Sequence, residues 1–587
     1  MKPPLTFLFA LLISISFGQN PEGKIDPILL EKTAGCAEAE FIVVMSEQAD
    51  IAPAKGLKKK EEKARYVFEK LRQTAEKSQS GIREFLQNMG IPYRTLFIVN
   101  ALKVKGDREL LLQVAGRSDV AAVIDNPAIR LERPFAEGND NNPRTIEWGL
   151  EKINADDVWA MGIRGQGVTV GGQDTGYEWT HPALKASYRG YDATTDTADH
   201  NYNWHDAIHE LSPLNNDSLP DPANNPCGLD SPEPCDDNNH GTHTMGTMVG
   251  LDGENEIGVA PEAQWCACRN MERGWGSPFS YLECFQWFLA PTDLNDENPD
   301  PERAPHVIAN SWYCPPVEGC TPGNFPVMNL AIQNLRLAGT VVVVSAGNSG
   351  PSCSSISAPP AMFDAAFAVG ATDSEDTIAG FSSRGPVTID GSMRLKPDLS
   401  APGVGVRSSI RFGGYASFSG TSMAGPHVAG VVALMISANP DLAGQPDLIE
   451  DILRQTAVPL TTDQECGGIP GTEVPNHTYG YGRVDALAAV EKALELAQVD
   501  ATATALPTTF RVYPNPASGS FFVASQNGHS TAILELYSSA GQRLLTESWQ
   551  NRGIHEVQLP ATAAGMVFYR IIADGKVVTG RLVVRGF

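Results

Sequence analysis

Apolar positions change their spacing three times along this chain, and each change marks a different kind of structure. "EFIVVM" (40–45) is a compact apolar run and reads as a short strand. From about Leu57 to Met89, apolar residues including Phe68, Leu71, Ile82, Phe85, Leu86 and Met89 recur at helical spacings among charged ones, which predicts one amphipathic helix. "YRTLFIVNALKV" (93–104) reads as a strand, "DRELLLQVA" (107–115) as a helix opened by an acidic residue, and "VAAVID" (120–125) as a last strand. Together they predict a small α+β unit over about 39–132. "ERPFAEGNDNNPR" (132–144) is polar and rich in turn residues, the pattern of an exposed linker.

The middle, about 145–497, alternates two patterns. "GVTVGGQD" (167–174) and "TVVVVSAGN" (340–348) are β-branched runs of the kind buried on both faces of a sheet. Helical stretches follow "HGTH" and "GTSMAGPH"; "VMNLAIQNLRLAG" (327–339) is another, and "GYGRVDALAAVEKALELA" (480–497) supplies a closing one. This alternation predicts an α/β domain, a largely parallel sheet with helices on both faces. Residues 192–237 read as long, acidic, Pro-rich loops. After the low-complexity linker at 498–509, residues 510–587 turn to short alternating strands with an Asp-Gly hairpin signal at 573–576, a separate all-β module.

Composition narrows the class. The 587 residues suggest three or four domains, and 42% hydrophobic content suffices for packed cores. A formal net charge of −25 argues against nucleic acid or an anionic membrane as the main partner. Residues 1–18, with Lys2, an apolar run from Leu5 to Phe17 and small residues at Ser16 and Gly18, read as a secretory signal peptide. Export makes disulfides permissible among the ten cysteines. Setting Cys36 aside leaves nine, so at least one is expected to be free or intermolecular. Cys227 and Cys235 share a loop; Cys314, Cys320 and Cys353 form a second group. No spacing gives a zinc pattern.

The chemistry gathers in three glycine-flanked segments. Serine as a nucleophile needs a base, a carboxylate to orient that base, and donors for the oxyanion. "GGQDTGYEW" places Asp174 after a buried strand, "DDNNHGTHTMGTMVG" places His240 at a helix start, and "SGTSMAGPHVAGVVALM" places Ser422 at another. These segments, with "VAPEAQWCACRN", "KPDLSAPGVGV" and "GYGRVDALAAV", resemble the subtilisin-like serine proteases in the same Asp, His, Ser order. "NSWYCPP" and "GNSGPSCSSISAPPA" resemble the bacillopeptidase F-like branch.

The resemblance implies a subtilisin-like three-layer domain over 145–497 that hydrolyses peptide bonds as a serine endopeptidase through an acyl-enzyme. Ser422 would be the nucleophile, His240 the general base and Asp174 its support. Asn348 and the Ser422 N–H would stabilise the oxyanion. Ser417, Ser419 and Thr421 read as turn and cap residues, His243 and His427 as packing histidines. Substrate would lie as an added strand along Ser311, Trp312 and Tyr313, facing Ser345, Ala346 and Gly347. A glycine is usual in the family where Tyr313 stands. The pocket floor falls near Ser357, and no acid lies between Asn348 and Ala361, so an apolar or aromatic residue is expected before the cut bond. No cofactor is implied for catalysis; structural calcium is common in the family, but its ligands cannot be matched to positions here.

Residues 19–137 resemble the family's inhibitory propeptide, with its folded part at 39–132. Residues 510–587, with "FRVYPNPASG" and "LELYSSAGQRLL", resemble the C-terminal sorting domain of type IX secretion. The expected protein is therefore a monomeric zymogen exported to the cell surface or medium. Its partners are protein substrates, its own propeptide and the type IX machinery. Two other readings remain: a narrow-specificity processing protease, and a catalytically inactive peptide-binding surface protein.

Overall fold

Seven strands form a wholly parallel sheet through the middle of the chain. Their spatial order is Trp204–Asp206, Gln264–Arg269, Thr169–Asp174, Val307–Asn310, Val341–Ser345, Phe367–Thr372 and Leu399–Pro402. The computed structural model describes residues 21–504, apart from 133, 140–145 and 213–224, and residues 510–584, apart from 526–530, 539–541, 551–552, 564 and 574–575. The apolar leader at 5–17 lies outside the described residues.

Successive residues of a strand point to opposite faces, and the two faces bury different helices. Val341 and Val343 join the helices His240–Val249 and Thr421–Ala438 on one side. Val342 and Val344 join Pro278–Leu289 and Phe325–Leu337 on the other. The result is three layers, as an α/β pattern requires. The helix Thr421–Ala438 is apolar all round and long enough to span a bilayer, but it is buried inside this core. The edge strand Trp204–Asp206 corrects the sequence reading, which placed it within a loop.

Residues 39–125 build the expected α+β unit, with two corrections. Its antiparallel sheet runs Tyr93–Leu96, Ala101–Gly106, Ala39–Met45, Val120–Asp125, so the single expected strand over 93–104 is a hairpin. The single expected helix is interrupted at Gln79, giving Lys60–Ser78 and Ser80–Asn88. Asp107 caps the helix Arg108–Ala115 by accepting from Leu110 N–H at 3.0 Å. The unit packs on the outer helices of the large domain. Phe97 N–H donates to Gln286 Oε1 at 2.6 Å, and Asn334 Nδ2 donates to Ile98 O at 2.6 Å.

The expected linker over 132–144 is instead partly ordered: Phe135–Asn139 pairs antiparallel with Gly414–Ser419. The closing helix runs Ala486–Thr504, so the first part of the expected linker at 498–509 is helical. Beyond it, Phe510–Ser518 opens an all-β module in which Ala573 stands opposite Lys576, as a hairpin demands. Asn515, from the Tyr513–Pro516 motif, ties two strands: its Oδ1 accepts from Val583 N–H at 2.7 Å and its Nδ2 donates to Arg581 O at 3.1 Å. Arg581 in turn reaches Ala438 O, at the far end of the serine-bearing helix, about 24 Å of helix from Ser422.

Four disulfides join Cys227–Cys235, Cys268–Cys284, Cys314–Cys320 and Cys353–Cys466. Cys353 therefore pairs across 113 residues, not with its neighbours at 314 and 320. Cys266 is a buried free thiol.

Candidate active site

Asp174, Ser311 and Asn348 all stand at or just beyond the carboxyl ends of parallel strands, where open α/β sheets place their sites. His240 and Ser422 open two helices that pack against each other on one face of that sheet. The structure thus draws together five residues spread over 249 positions, from Asp174 to Ser422.

His240 donates through Nδ1 to the Asp174 carboxylate, at 2.8 Å from Oδ1 and 2.9 Å from Oδ2. Both side chains are buried, and His240 Nε2 has no hydrogen-bond partner. Close backbone approach makes this possible. A side chain at Gly241 would strike Gly176 O at 2.0 Å. Asp236, which sequence reasoning passed over, fixes the turn into the helix. It accepts from the N–H groups of Asn238, Asn239 and Thr242 and from the hydroxyls of Thr175 and Thr242. Its signal was an acidic residue four positions before His240, in a run full of Asn and Asp.

Ser422 is the second residue of its helix, so its N–H belongs to the first turn, where no intrahelical acceptor exists. Pro426 lacks the N–H that would bond Ser422 O four residues back. That carbonyl instead accepts from Ser311 Oγ at 3.2 Å. The Ser422 hydroxyl lies 3.5 Å from Ser311 O in this conformer.

The Asn348 amide is oriented by Thr421, 73 positions further along the chain. Its Oδ1 accepts from Thr421 N–H at 2.8 Å and Thr421 Oγ1 at 2.9 Å, which commits the carbonyl side and leaves Nδ2 as the outward donor. Thr421 Oγ1 also accepts from Gly347 N–H at 3.2 Å. Thr421 is thus more than the turn residue expected; it ties the start of the serine-bearing helix to Gly347 and Asn348.

His243 and His427 are packing groups, as expected. His243 Nε2 lies 3.1 Å from Val406 O and Ala416 O, its ring stacks on Phe418, and burial pushes its pKa down to about 3. His427 Nδ1 bonds Met423 O at 2.8 Å, and burial lowers its pKa to about 4.

Two observations bear on the expected substrate edges. Trp312 turns its side chain into the core, stacked on Tyr281 at 3.9 Å, so only its backbone is available to the cleft. The strand that carries a peptide here is Trp275–Gly276, missed in the sequence. The chain's own Ile129–Arg130 pairs with it antiparallel, and Leu131 N–H donates to Gly274 O at 2.7 Å. The next residue, Glu132, accepts from Asn348 N–H at 3.3 Å through Oε2. Burial raises its carboxyl above the usual range, and the bonds from Asn348 offset this only in part. Tyr313 lies beside it, its phenol bonded to Ser349 and Ser357. The tail residue beside Asn348 is thus a glutamate. Ser345 Oγ reaches Ser311 Oγ at 3.4 Å, Ala346 is buried, and Gly347 adopts φ 98°, which favours glycine.

Among the described residues, no group of three or more His, Cys, Asp or Glu side chains is arranged to hold a metal ion.

Chemically, a carboxylate-held imidazole, a serine at a helix N-terminus and an oriented amide donor are the parts of a serine acyl-transfer site. Residues 165–482 match the subtilase family, and residues 511–585 match the secretion system C-terminal sorting domain. Bacillopeptidase F of Bacillus subtilis (strain 168) is 35% identical over 486 residues, 78% of this chain and 31% of that protein. Subtilisin DY of Bacillus licheniformis is 31% identical over 303 residues, 51% of this chain and 88% of that protein. Serine protease AprX of Bacillus subtilis (strain 168) is 35% identical over 247 residues, 38% of this chain and 53% of that protein. The match thus spans about a third of Bacillopeptidase F and half of AprX. The chain belongs to the subtilase family, and its sorting domain directs it out of the cell.

Proposed function

We propose that this chain is a serine endopeptidase, made as a zymogen, that cuts proteins outside the cell. Ser422 Oγ attacks the substrate carbonyl carbon as His240 Nε2 takes its proton; Asp174 holds the imidazole in the needed tautomer and supports its charge. Asn348 Nδ2 and the Ser422 N–H receive the oxyanion, the latter helped by the positive end of its helix. His240 then returns the proton to the leaving amine, and water releases the acyl group from Ser422. The observation that carries this reading is the buried Asp174–His240 pair, bonded through Nδ1 with Nε2 unbonded. The nucleophile must leave Ser311 O to engage that nitrogen.

Residues 19–137 act as the propeptide. They dock on the outer helices and run their tail along the cleft as an added strand. The processed enzyme should cut a diverse peptide mixture at internal bonds, read by mass spectrometry, and an excess of residues 19–137 should suppress that cutting. Release of terminal residues alone would argue against an endopeptidase, and indifference to the fragment against its inhibitory role.

The all-β module engages the type IX export machinery. It docks at the far end of the serine-bearing helix, so its removal should spare the site. Deleting residues 510–587 should leave the peptidase folded and held in the periplasm of the native host. Normal arrival of the truncated chain at the surface or in the medium would contradict this role.

A further inference from the structure

The chain's own tail crosses the site in a readable register. Gly276 stands opposite Ile129 and Trp275 opposite Arg130. Leu131 bonds Gly274, and Glu132 bonds the backbone of Asn348. On the far side, Pro134 Cβ is 3.7 Å from where a side chain on Gly420 would begin, and Phe135 stands opposite Ser419. The strand Gly414–Ser419 leads directly into Ser422. Glu132 and Pro134 thus lie beside Asn348 and Gly420, two groups that border Ser422.

We propose that the chain cuts itself at the peptide bond following Glu132, and that the pocket beside Asn348 selects glutamate or its isostere glutamine before the cut bond. The inference rests on the peptidase reading above. Any substrate must fill the same pocket as the tail, so the tail residue samples the pocket's chemistry. Asn348 donates to Glu132 from its N–H and its side chain, and Tyr313 lies beside it with its phenol bonded to Ser349 and Ser357; Glu318 is the acid in range, and it lies on the solvent side of the same cavity as a half-exposed group. No acid lies between Asn348 and Ala361 to repel a carboxylate or to pair a lysine or arginine. Tyr313, where the family's usual residue is glycine, narrows the space an aromatic side chain would need. The step is a simple hydrolysis. The C–N bond between Glu132 and Arg133 breaks, the carbonyl passes through a Ser422 ester, and water leaves a Glu132 carboxylate and an Arg133 amine.

The test starts from the full chain. Its processed form should begin at Arg133, read by N-terminal sequencing. Glu132→Gln should process at a rate close to the parent, while Glu132→Lys should slow this cut by about a hundredfold. Both variants release a mature enzyme of the same sequence, so the difference lies in the tail as substrate. Peptides differing only at this position should then be cut in the order glutamate and glutamine before phenylalanine, with lysine last. A mature N-terminus elsewhere, or faster cutting after phenylalanine than after glutamate, would overturn the inference while the peptidase reading stands. Absence of all hydrolysis would overturn both.

Discussion

Ser422→Ala should leave the chain folded, uncut and without measurable hydrolysis. The fold should survive because the hydroxyl makes only a 3.5 Å contact with Ser311 O, and the Ser422 carbonyl that Pro426 leaves without its helical donor accepts from Ser311 Oγ, a bond alanine retains. Turnover should fall by roughly 10⁶, the size of loss known for the equivalent change in subtilisin. The uncut chain follows from the same defect, since the tail over 129–132 is held in the cleft and needs the same nucleophile. The check is paired: intact mass for processing and peptide hydrolysis for activity. Processing at the parent rate in this variant would mean that another nucleophile or another protease cuts the tail.

Asn348→Leu should fold yet lose roughly 10²–10³ in turnover, a range established for the oxyanion asparagine of subtilisin. The argument rests on orientation. Thr421 holds Asn348 Oδ1 through two bonds, so the Nδ2 donor is fixed before substrate arrives. A donor fixed in advance pays no reorganisation when charge develops, which is why its removal falls on kcat. Leucine also leaves the Thr421 N–H without its acceptor, at a cost of about 1–3 kcal/mol to stability. Thermal unfolding separates this cost from the kinetic one. A loss confined to KM would show that Asn348 only positions substrate.

The parts legible in the sequence were those with dense local signals. Val341–Val344 could only be a buried strand, and glycines around Asp174, His240 and Ser422 announced close backbone approach. Asn348 was legible through the family resemblance, which implies an oxyanion asparagine after this buried strand. What escaped depended on tertiary contacts. Ile98 and Val99 are apolar because they pack beneath the outer helices, so the hairpin turn over 97–100 looked like continuous strand. Gln79 interrupts a helix whose apolar spacing never falters, because its side chain is buried and bonded to Leu96 O and Asn100 Oδ1. Trp204–Asp206 and Trp275–Gly276 are too short to show a period of two. Nothing local marks Thr421 as the residue that orients Asn348. Glu132 sat in a stretch that composition alone reads as linker, and its meaning comes only from lying over the site.

The central claim is that Ser422 is a nucleophile activated by His240 and Asp174. A fluorophosphonate probe tests it most directly, applied to the processed enzyme with the modified residue located by mass spectrometry. The account predicts one label, on Ser422, that disappears in His240→Ala. Absence of a label, or a label on any other serine, would contradict it.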